Sequence, residues 1–197
     1  AGEWTEYTVN VQQAGDYAGA VEAYRQFLRL RPDEVGAHSN LGVVLTKLGR
    51  FEEAITEYQT AQKLLPGDER ITVNLALAYE KSGRLAEARR QLQAAHRAAP
   101  GQKQIILLLA DCYLQQGDDN DVITLLQPVE QQSPEDLAVA YMLGTALIRK
   151  QRIAEGQVLL DRILRNGDSA EARFLLGTRM YQSGDYPAAV KELASAI

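Results

Sequence analysis

Residues 35–68 read VGAHSNLGVVLTKLGRFEEAITEYQTAQKLLPGD. Apolar side chains in the first half recur at the three- and four-residue spacing of one helical face: Leu41, Val44, Leu45 and Leu48. Gly49 ends this helix, since glycine readily adopts the left-handed conformation at a helix end. A second stripe follows: Ala54, Ile55, Tyr58, Ala61 and Leu65. It stops at Pro66, because the residue before a proline avoids the helical region. The stretch predicts two amphipathic helices, near 36–48 and 52–65.

The same pattern returns about every 34 residues along the chain. Turn glycines follow this spacing: Gly15, Gly49, Gly83 and Gly117. Prolines that close the second helix follow it too: Pro32, Pro66, Pro100 and Pro134. The spacing divides the chain into six repeats, of which the last is incomplete: 1–34, 35–68, 69–102, 103–136, 137–169 and 170–197.

Small residues occupy two fixed positions in the repeat. The position in the first helix holds Gly42, Ala76, Ala110, Gly144 and Gly177. The position in the second helix holds Ala20, Ala54, Ala88, Val122, Gly156 and Ala189. Small side chains there let the two helices of a repeat approach closely. One helix pair cannot bury its apolar face alone, but stacked neighbours can, so we expect a core that runs along the array.

The copies resemble the tetratricopeptide (TPR) repeat, whose pattern is W-x2-L-G-x2-Y, then A-x3-F, then P. Repeat two has Leu41-Gly42-x2-Leu45 with Ala54-x3-Tyr58, and repeat three has Leu75-Ala76-x2-Tyr79 with Ala88-x3-Leu92. The resemblance covers the whole chain. It implies an all-α solenoid of helical hairpins with a right-handed superhelix. It also implies a single array over 1–197, with about five and a half to six repeats.

Repeats four and five depart from the pattern. Pro128 lies inside the second helix of repeat four, where it removes a backbone hydrogen bond and predicts a kink or a break. Repeat five has Gln151 for the turn glycine, Gly156 for the packing alanine and Asp168 for the proline. We therefore expect irregular geometry in these two repeats.

Composition excludes several classes of function. The net charge is −5, the sequence pI is about 5.2, and no long basic run is present, which argues against a nucleic-acid binder. No run of eighteen apolar residues predicts a membrane-spanning helix. A single cysteine excludes an internal disulfide. No signal peptide is visible, which favours the cytoplasm. The sequence begins within a first helix and ends within a last one, which leaves a longer parent protein open.

Residues suited to catalysis or metal binding are few and scattered. The histidines are His38, expected to pack between helices, and His96, expected on an exposed outer face. Cys112 falls among small apolar residues, and we expect an inert buried thiol. No motif indicates a phosphate loop or a dinucleotide site. The sequence predicts a non-enzyme that needs no metal and no cofactor.

The TPR resemblance implies that the first helices line a concave groove. In repeats three to six this wall is unusually apolar and aromatic. The predicted groove residues are Val73, Leu77, Leu107, Asp111, Leu114, Tyr141, Ile148, Phe174 and Tyr181. Apolar patches with few charges mark interaction surfaces. We expect an apolar or amphipathic peptide segment of a protein partner, held as a helix in a groove.

Two alternatives stay open. Some of these side chains could pack against a neighbouring helix and never meet a ligand. The array could instead be structural and form homo-oligomers through its open ends or its groove. Another TPR mode, a charged clamp for a C-terminal carboxylate, is not supported, because Thr5 and Val9 stand where that subclass has Lys and Asn.

Overall fold

A computed structural model describes residues 16–165, 170–182 and 186–196. Regular secondary structure in these ranges is entirely α-helical, as predicted. The chain divides into two compact units, Ala1–Ile105 and Ile106–Ile197. The prediction of a single array over 1–197 stays a prediction. The expectations for Gly15, Thr5, Val9 and Asp168 lie outside the described residues.

The first unit contains two complete helical hairpins. Its helices are α1 (Tyr17–Leu30), α2 (Val35–Lys47), α3 (Phe51–Leu64), α4 (Glu69–Lys81) and α5 (Leu85–Ala98). Helix α2 packs on α3, and α4 packs on α5, which gives the hairpins of repeats two and three. Helix α1 packs on α2, and α3 on α4, so adjacent repeats stack. The predicted bounds of α2 and α3 were one residue too late at each end.

The second unit repeats this arrangement. Helix α6 (Lys103–Gln116) contains the boundary between the units, and the helices after it are α7 (Asp119–Gln132), α8 (Leu137–Arg149), α9 (Ile153–Arg165), α10 (Ala170–Gln182) and α11 (Tyr186–Ala194). Helix α8 pairs with α9, and α10 with α11, while α7 packs on α8. Helices α8 and α10, the first helices of two adjacent repeats, also touch.

The two small-residue positions lie where the helices of a hairpin cross. All their residues in the described ranges are buried. A Cβ atom on Gly42 would lie 2.6 Å from the Tyr58 ring, and one on Gly156 would lie 2.7 Å from the Gly144 carbonyl oxygen. Any side chain at these places would push the helices apart. The predicted close approach is therefore confirmed.

Turns inside the hairpins require a left-handed residue. Gly49, Gly83 and Gly117 have φ of 72°, 79° and 78°. Gln151 occupies the same place in repeat five and adopts φ of 63°, the one positive value at a non-glycine residue in the described ranges. A residue with a Cβ pays about 1–2 kcal/mol for that conformation. The turn geometry is thus kept at a position where the sequence opposes it.

The predicted break at Pro128 is wrong, since α7 continues through this residue to Gln132. Pro128 is exposed, while Val122 and Leu126 on the opposite face are fully buried. Helices in proteins owe most of their stability to packing of an amphipathic face. That packing outweighs one lost hydrogen bond on the solvent side.

Leu48 and Leu65 were expected on buried stripes, and both are exposed. Each is the C-cap residue of its helix, directly after the last helical residue. Because the backbone leaves the helix there, the side chain no longer continues the apolar face. Apolar periodicity predicts the direction of a side chain only inside a helix, and these two residues lie just beyond its end.

In three repeats an arginine lies immediately before the second helix and binds a glutamate three residues later. Nε of Arg50 donates to Oε1 of Glu53 at 2.7 Å, and Nε of Arg152 donates to Oε1 of Glu155 at 2.8 Å. Repeat three has the same pair, Arg84 and Glu87, at 3.0 Å. These hydrogen bonds lower the pKa of each glutamate carboxyl.

Candidate functional site

Four apolar side chains share one face of the first helices in the second unit. We define the apolar patch as Tyr141 and Ile148 on α8 with Phe174 and Tyr181 on α10. Each pair is seven residues apart, which is about two helical turns and returns to the same face. Phe174 is 57% exposed and Tyr181 is 62% exposed, whereas Tyr141 and Ile148 are half-buried. Since α8 and α10 touch, the four belong to neighbouring rows.

Two contacts on α10 fix details of this face. Oγ1 of Thr178 donates to the Phe174 carbonyl at 2.8 Å, so the hydroxyl between the two aromatic residues bonds its own backbone. The Tyr181 ring meets the Tyr186 ring edge-on, with centroids 5.4 Å apart and planes at 69°. Edge-to-face pairs stabilise a ring orientation. The face therefore presents apolar surface held by local contacts.

The predicted residues on α6 are all half-buried: Leu107, Asp111 and Leu114. The Asp111 carboxylate accepts a hydrogen bond from Nε2 of Gln115 in the same helix. Nη1 of Arg149 donates to the Leu114 carbonyl at 3.0 Å, which brings the end of α8 next to the end of α6. The role of these residues in a groove stays a prediction.

The first unit presents a different first-helix face. Val73 is 5% exposed, so its side chain belongs to the core and offers almost no contact surface. Leu77 is half-buried on α4, beside Glu80 one turn later. The matching positions on α2 are Ser39, Val43 and Thr46. Leu77 lies in the first unit and the apolar patch in the second, and the strip predicted to join them stays a prediction.

His38 is a structural link. Its Nδ1 lies 2.6 Å from Oε2 of Glu57 on α3, and its Nε2 lies 2.7 Å from the Pro32 carbonyl oxygen. The ring thus ties α2 to α3 and to the preceding turn, as the expected packing between helices requires. Both ring nitrogens of His38 are engaged in these contacts, so neither is available to a catalytic group.

Cys112 is fully buried, as predicted. The expected exposure of His96 is wrong: the residue is half-buried, and its Nδ1 is buried without a hydrogen-bond partner. Within the described ranges, histidine, cysteine, aspartate and glutamate form no cluster of three or more that could hold a metal ion. None of the helices in those ranges is both long enough and apolar enough to cross a membrane.

These stacked hairpins define a helical repeat solenoid. A tetratricopeptide repeat family model matches residues 11–69 and 141–197, and a second model of the same repeat matches 79–132. The chain belongs to the tetratricopeptide repeat family, whose arrays are scaffolds with extended binding surfaces. Among curated proteins, a sequence search found no match.

Solved structures support the same fold. MamA 41-end from Desulfovibrio magneticus RS-1 is 20% identical with a TM-score of 0.75, over 84% of this chain and 96% of that chain. A TPR protein from Parabacteroides merdae is 14% identical with a TM-score of 0.77, over 98% and 76%. YrrB, described as a TPR protein with an unusual peptide-binding site, is 16% identical with a TM-score of 0.63, over 90% and 92%. At these identities the similarity concerns the fold.

Proposed function

We propose that this protein is a non-catalytic scaffold whose apolar patch binds an apolar or amphipathic peptide segment of a protein partner. One observation carries the proposal: Phe174 and Tyr181 are each more than half exposed on the same face of α10. Aromatic residues are enriched at the centres of protein interfaces, and charged residues are depleted there. The patch has this composition.

The spacing within the patch favours a helical ligand. The pair of residues on α8 and the pair on α10 each span about two helical turns. A partner helix presents anchors over a similar length, at positions i, i+3, i+4 and i+7. The similarity to YrrB, a TPR protein described as having a peptide-binding site, is consistent with a peptide ligand. Within the second unit, the half-buried Leu107, Asp111 and Leu114 would extend the surface, whereas Val73 in the first unit is too buried to take part in any contact.

Peptide display against the purified chain tests the proposal. We expect selected peptides to carry apolar residues at helical spacing. Each large apolar side chain buried contributes roughly 1.5–3 kcal/mol, and about 1.4 kcal/mol is a tenfold change in affinity. The double variant Phe174→Asp/Tyr181→Asp should therefore weaken these peptides by well over tenfold in a fluorescence titration. Its melting temperature should stay close to that of the parent chain, because both side chains face solvent.

The matched control is Ser39→Asp/Thr46→Asp, which places the same charges on the same face of α2 in repeat two. It should leave peptide affinity unchanged. Selected peptides that bind all three proteins equally would place the ligand elsewhere and end the proposal. Sedimentation of the parent chain and the Phe174→Asp/Tyr181→Asp variant tests the alternative of self-assembly. If the parent chain is a dimer and the substitution dissociates it, the patch is a self-assembly surface.

A further inference from the structure

The junction between repeats two and three is closed by a tyrosine. The Tyr79 ring, on α4, is 5% exposed between the second helices α3 and α5. Nε2 of Gln59 donates to the Tyr79 hydroxyl at 2.7 Å, and the Arg84 guanidinium lies over the ring at 4.8 Å from its centroid. Nε2 of Gln62 reaches Oε1 of Gln91 at 3.0 Å, which joins α3 to α5. The helices on both sides of Tyr79 are thus joined by direct side-chain contacts.

The junction between repeats four and five has the same frame without the ring. Sixty-eight residues further on, Leu147 replaces Tyr79, while Gln127 and Arg152 correspond to Gln59 and Arg84. A cleft of about 330 Å³ opens there, between α7, α8 and α9. Its walls include Gln127, Leu143, Leu147, Arg152, Val158 and Leu159. This volume falls at the lower end of ligand pockets, which run from about 300 to 1,000 Å³.

Arg152 is already oriented as Arg84 is. Glu155 holds it through two hydrogen bonds, Nε to Oε1 at 2.8 Å and Nη2 to Oε2 at 2.7 Å. Glu87 holds Arg84 from the same position, and Arg84 stacks on a ring. A guanidinium over an aromatic face is an attractive pair. Arg152 therefore lines the cleft with a guanidinium that can stack on an aromatic ring. Leu147 has no ring to occupy that place.

The lining of the cleft also contains a balanced pair of charges, which joins α7 to α9. Nη2 of Arg162 lies 2.8 Å from Oε1 of Glu130, and Nη1 of Arg162 also donates to the Pro134 carbonyl. Each of these two charges is thus neutralised by a partner within the chain. The floor is apolar, formed by leucines of α8 and α9. A neutral ring suits this environment better than a charged group does.

A leucine at the tyrosine position is not by itself enough to open a cleft. Leu45 holds the corresponding place in repeat two and is fully buried. At that junction Arg25 of repeat one stands where repeat four has Gln127, and its Nη2 reaches Oε2 of Glu53 at 2.7 Å. The longer, ion-paired arginine crosses the junction. The junction of repeats four and five combines Leu147, which is smaller than tyrosine, with Gln127, which is shorter than arginine.

We propose that the cleft between α7, α8 and α9 binds a tyrosine side chain presented by a protein partner, in the manner in which the junction of repeats two and three holds Tyr79. The ring packs on Leu147 and Leu159 beneath the Arg152 guanidinium, and the Gln127 amide donates to the phenol oxygen. The walls of this site come from α7, α8 and α9, and none of its lining residues belongs to the apolar patch.

Methyl NMR of the leucine- and valine-labelled chain tests the site, with N-acetyltyrosinamide as the probe. We expect saturable shifts of the Leu147, Val158 and Leu159 methyl resonances. N-acetylphenylalaninamide should bind more weakly, because it lacks the hydroxyl, and N-acetylleucinamide more weakly still, because it lacks the ring. Leu147→Tyr should fill the cleft, keep the chain folded and weaken the probe at least tenfold.

The matched variant Tyr79→Leu should create a second set of probe-dependent shifts, at Leu75 in the first unit. If it does not fold, the Leu147→Tyr comparison decides alone. Three results overturn the proposal: no saturable shift in the parent chain, equal binding by Leu147→Tyr, or the same affinity for all three amides. Unfolding of Leu147→Tyr would overturn it as well, because the cleft would then not accept a tyrosine ring.

Discussion

Repeats two and three, in the first unit, and repeats four and five, in the second, share one plan but differ in what they leave exposed. Both pairs have hairpins crossing at small residues and a left-handed turn. In the first pair Tyr79 fills the junction, and the first-helix face carries Ser39, Thr46 and Glu80 beside the half-buried Val43 and Leu77. In the second pair the junction is open, and α8 contributes Tyr141 and Ile148 to an apolar patch. The framework is thus set by a few small residues, and the surfaces that are left exposed vary independently of it.

The largest expected effect is at the closed junction. Tyr79→Ala should lower the free energy of unfolding by about 3–5 kcal/mol, as deletion of a buried ring does. The variant also loses the bond from Gln59 and the stacking of Arg84. Urea denaturation measures the change. Tyr79→Phe keeps the ring and should cost about 1 kcal/mol, the net value of one hydrogen bond. Equal losses for the two variants would show that the ring does not close the junction.

A smaller loss is expected from Gly156→Ala, although repeats one to three carry alanine at this position. The new Cβ would lie 2.7 Å from the Gly144 carbonyl oxygen and 2.6 Å from Cγ1 of Ile148. Helix propensity favours alanine by about 1 kcal/mol, but overpacking against backbone costs about 1–3 kcal/mol. We expect a net loss of about 1 kcal/mol by urea denaturation.

Ala154→Gly is the control for that variant, because Ala154 is exposed on the same helix. It should cost about 1 kcal/mol through propensity alone. If Gly156→Ala instead stabilises the chain by about this amount, the helices of repeat five do not cross as closely as those contacts require.

The repeat and its close helix crossing were predictable, because both depend on residue size and spacing. Gly42, Ala54 and Gly156 occupy fixed positions, and steric contact turns such positions into geometry. The degree of burial of individual residues was less predictable. Val73 and Leu77 are one turn apart in a sequence pattern that marks a face, yet one is buried and the other is half-buried. Periodicity gives direction around a helix but not the extent to which the next helix covers it.

The cleft was not predicted, although a signal was present. It depends on Leu147 being smaller than Tyr79 and on Gln127 being shorter than Arg25, comparisons that only matter once three helices meet. The pairing of Arg152 with Glu155 was also missed. Its spacing of three residues recurs in repeats two, three and five, so aligning charged positions as well as apolar ones would have found it.

The turn of repeat five offers a gain in stability. Gln151→Gly should stabilise the chain by about 0.5–1 kcal/mol, because relief of left-handed strain exceeds the entropy cost of glycine. The Gln151 side chain is exposed, so its removal costs little packing. Gln151→Ala retains a Cβ and should give no such gain, and Gly83→Ala should destabilise repeat three. A gain for Gln151→Ala equal to that for Gln151→Gly would contradict strain as the cause. Urea denaturation of the three variants measures these changes.

The smallest effect distinguishes the ion pairs of the two regions. Hydrogen bonding from Arg50 lowers the pKa of the Glu53 carboxyl, which Arg25 of the preceding repeat also contacts. Among the described residues, the arginine that pairs with Glu155 is Arg152 alone. Because a lowered folded pKa means that folding favours the ionised carboxylate, the stabilisation is complete above the unfolded pKa of about 4.3 and is lost as the pH falls through the folded value. At low salt, Glu53→Gln should therefore be less stable than the parent chain at pH 7, and the gap between their free energies of unfolding should close on acidification.

The gap between Glu155→Gln and the parent chain should be narrower, and added salt should shrink both gaps, since exposed charges are screened. Urea titrations across this pH range measure each gap, and one that widens as the pH falls would show that the arginine does not favour the carboxylate in the folded chain.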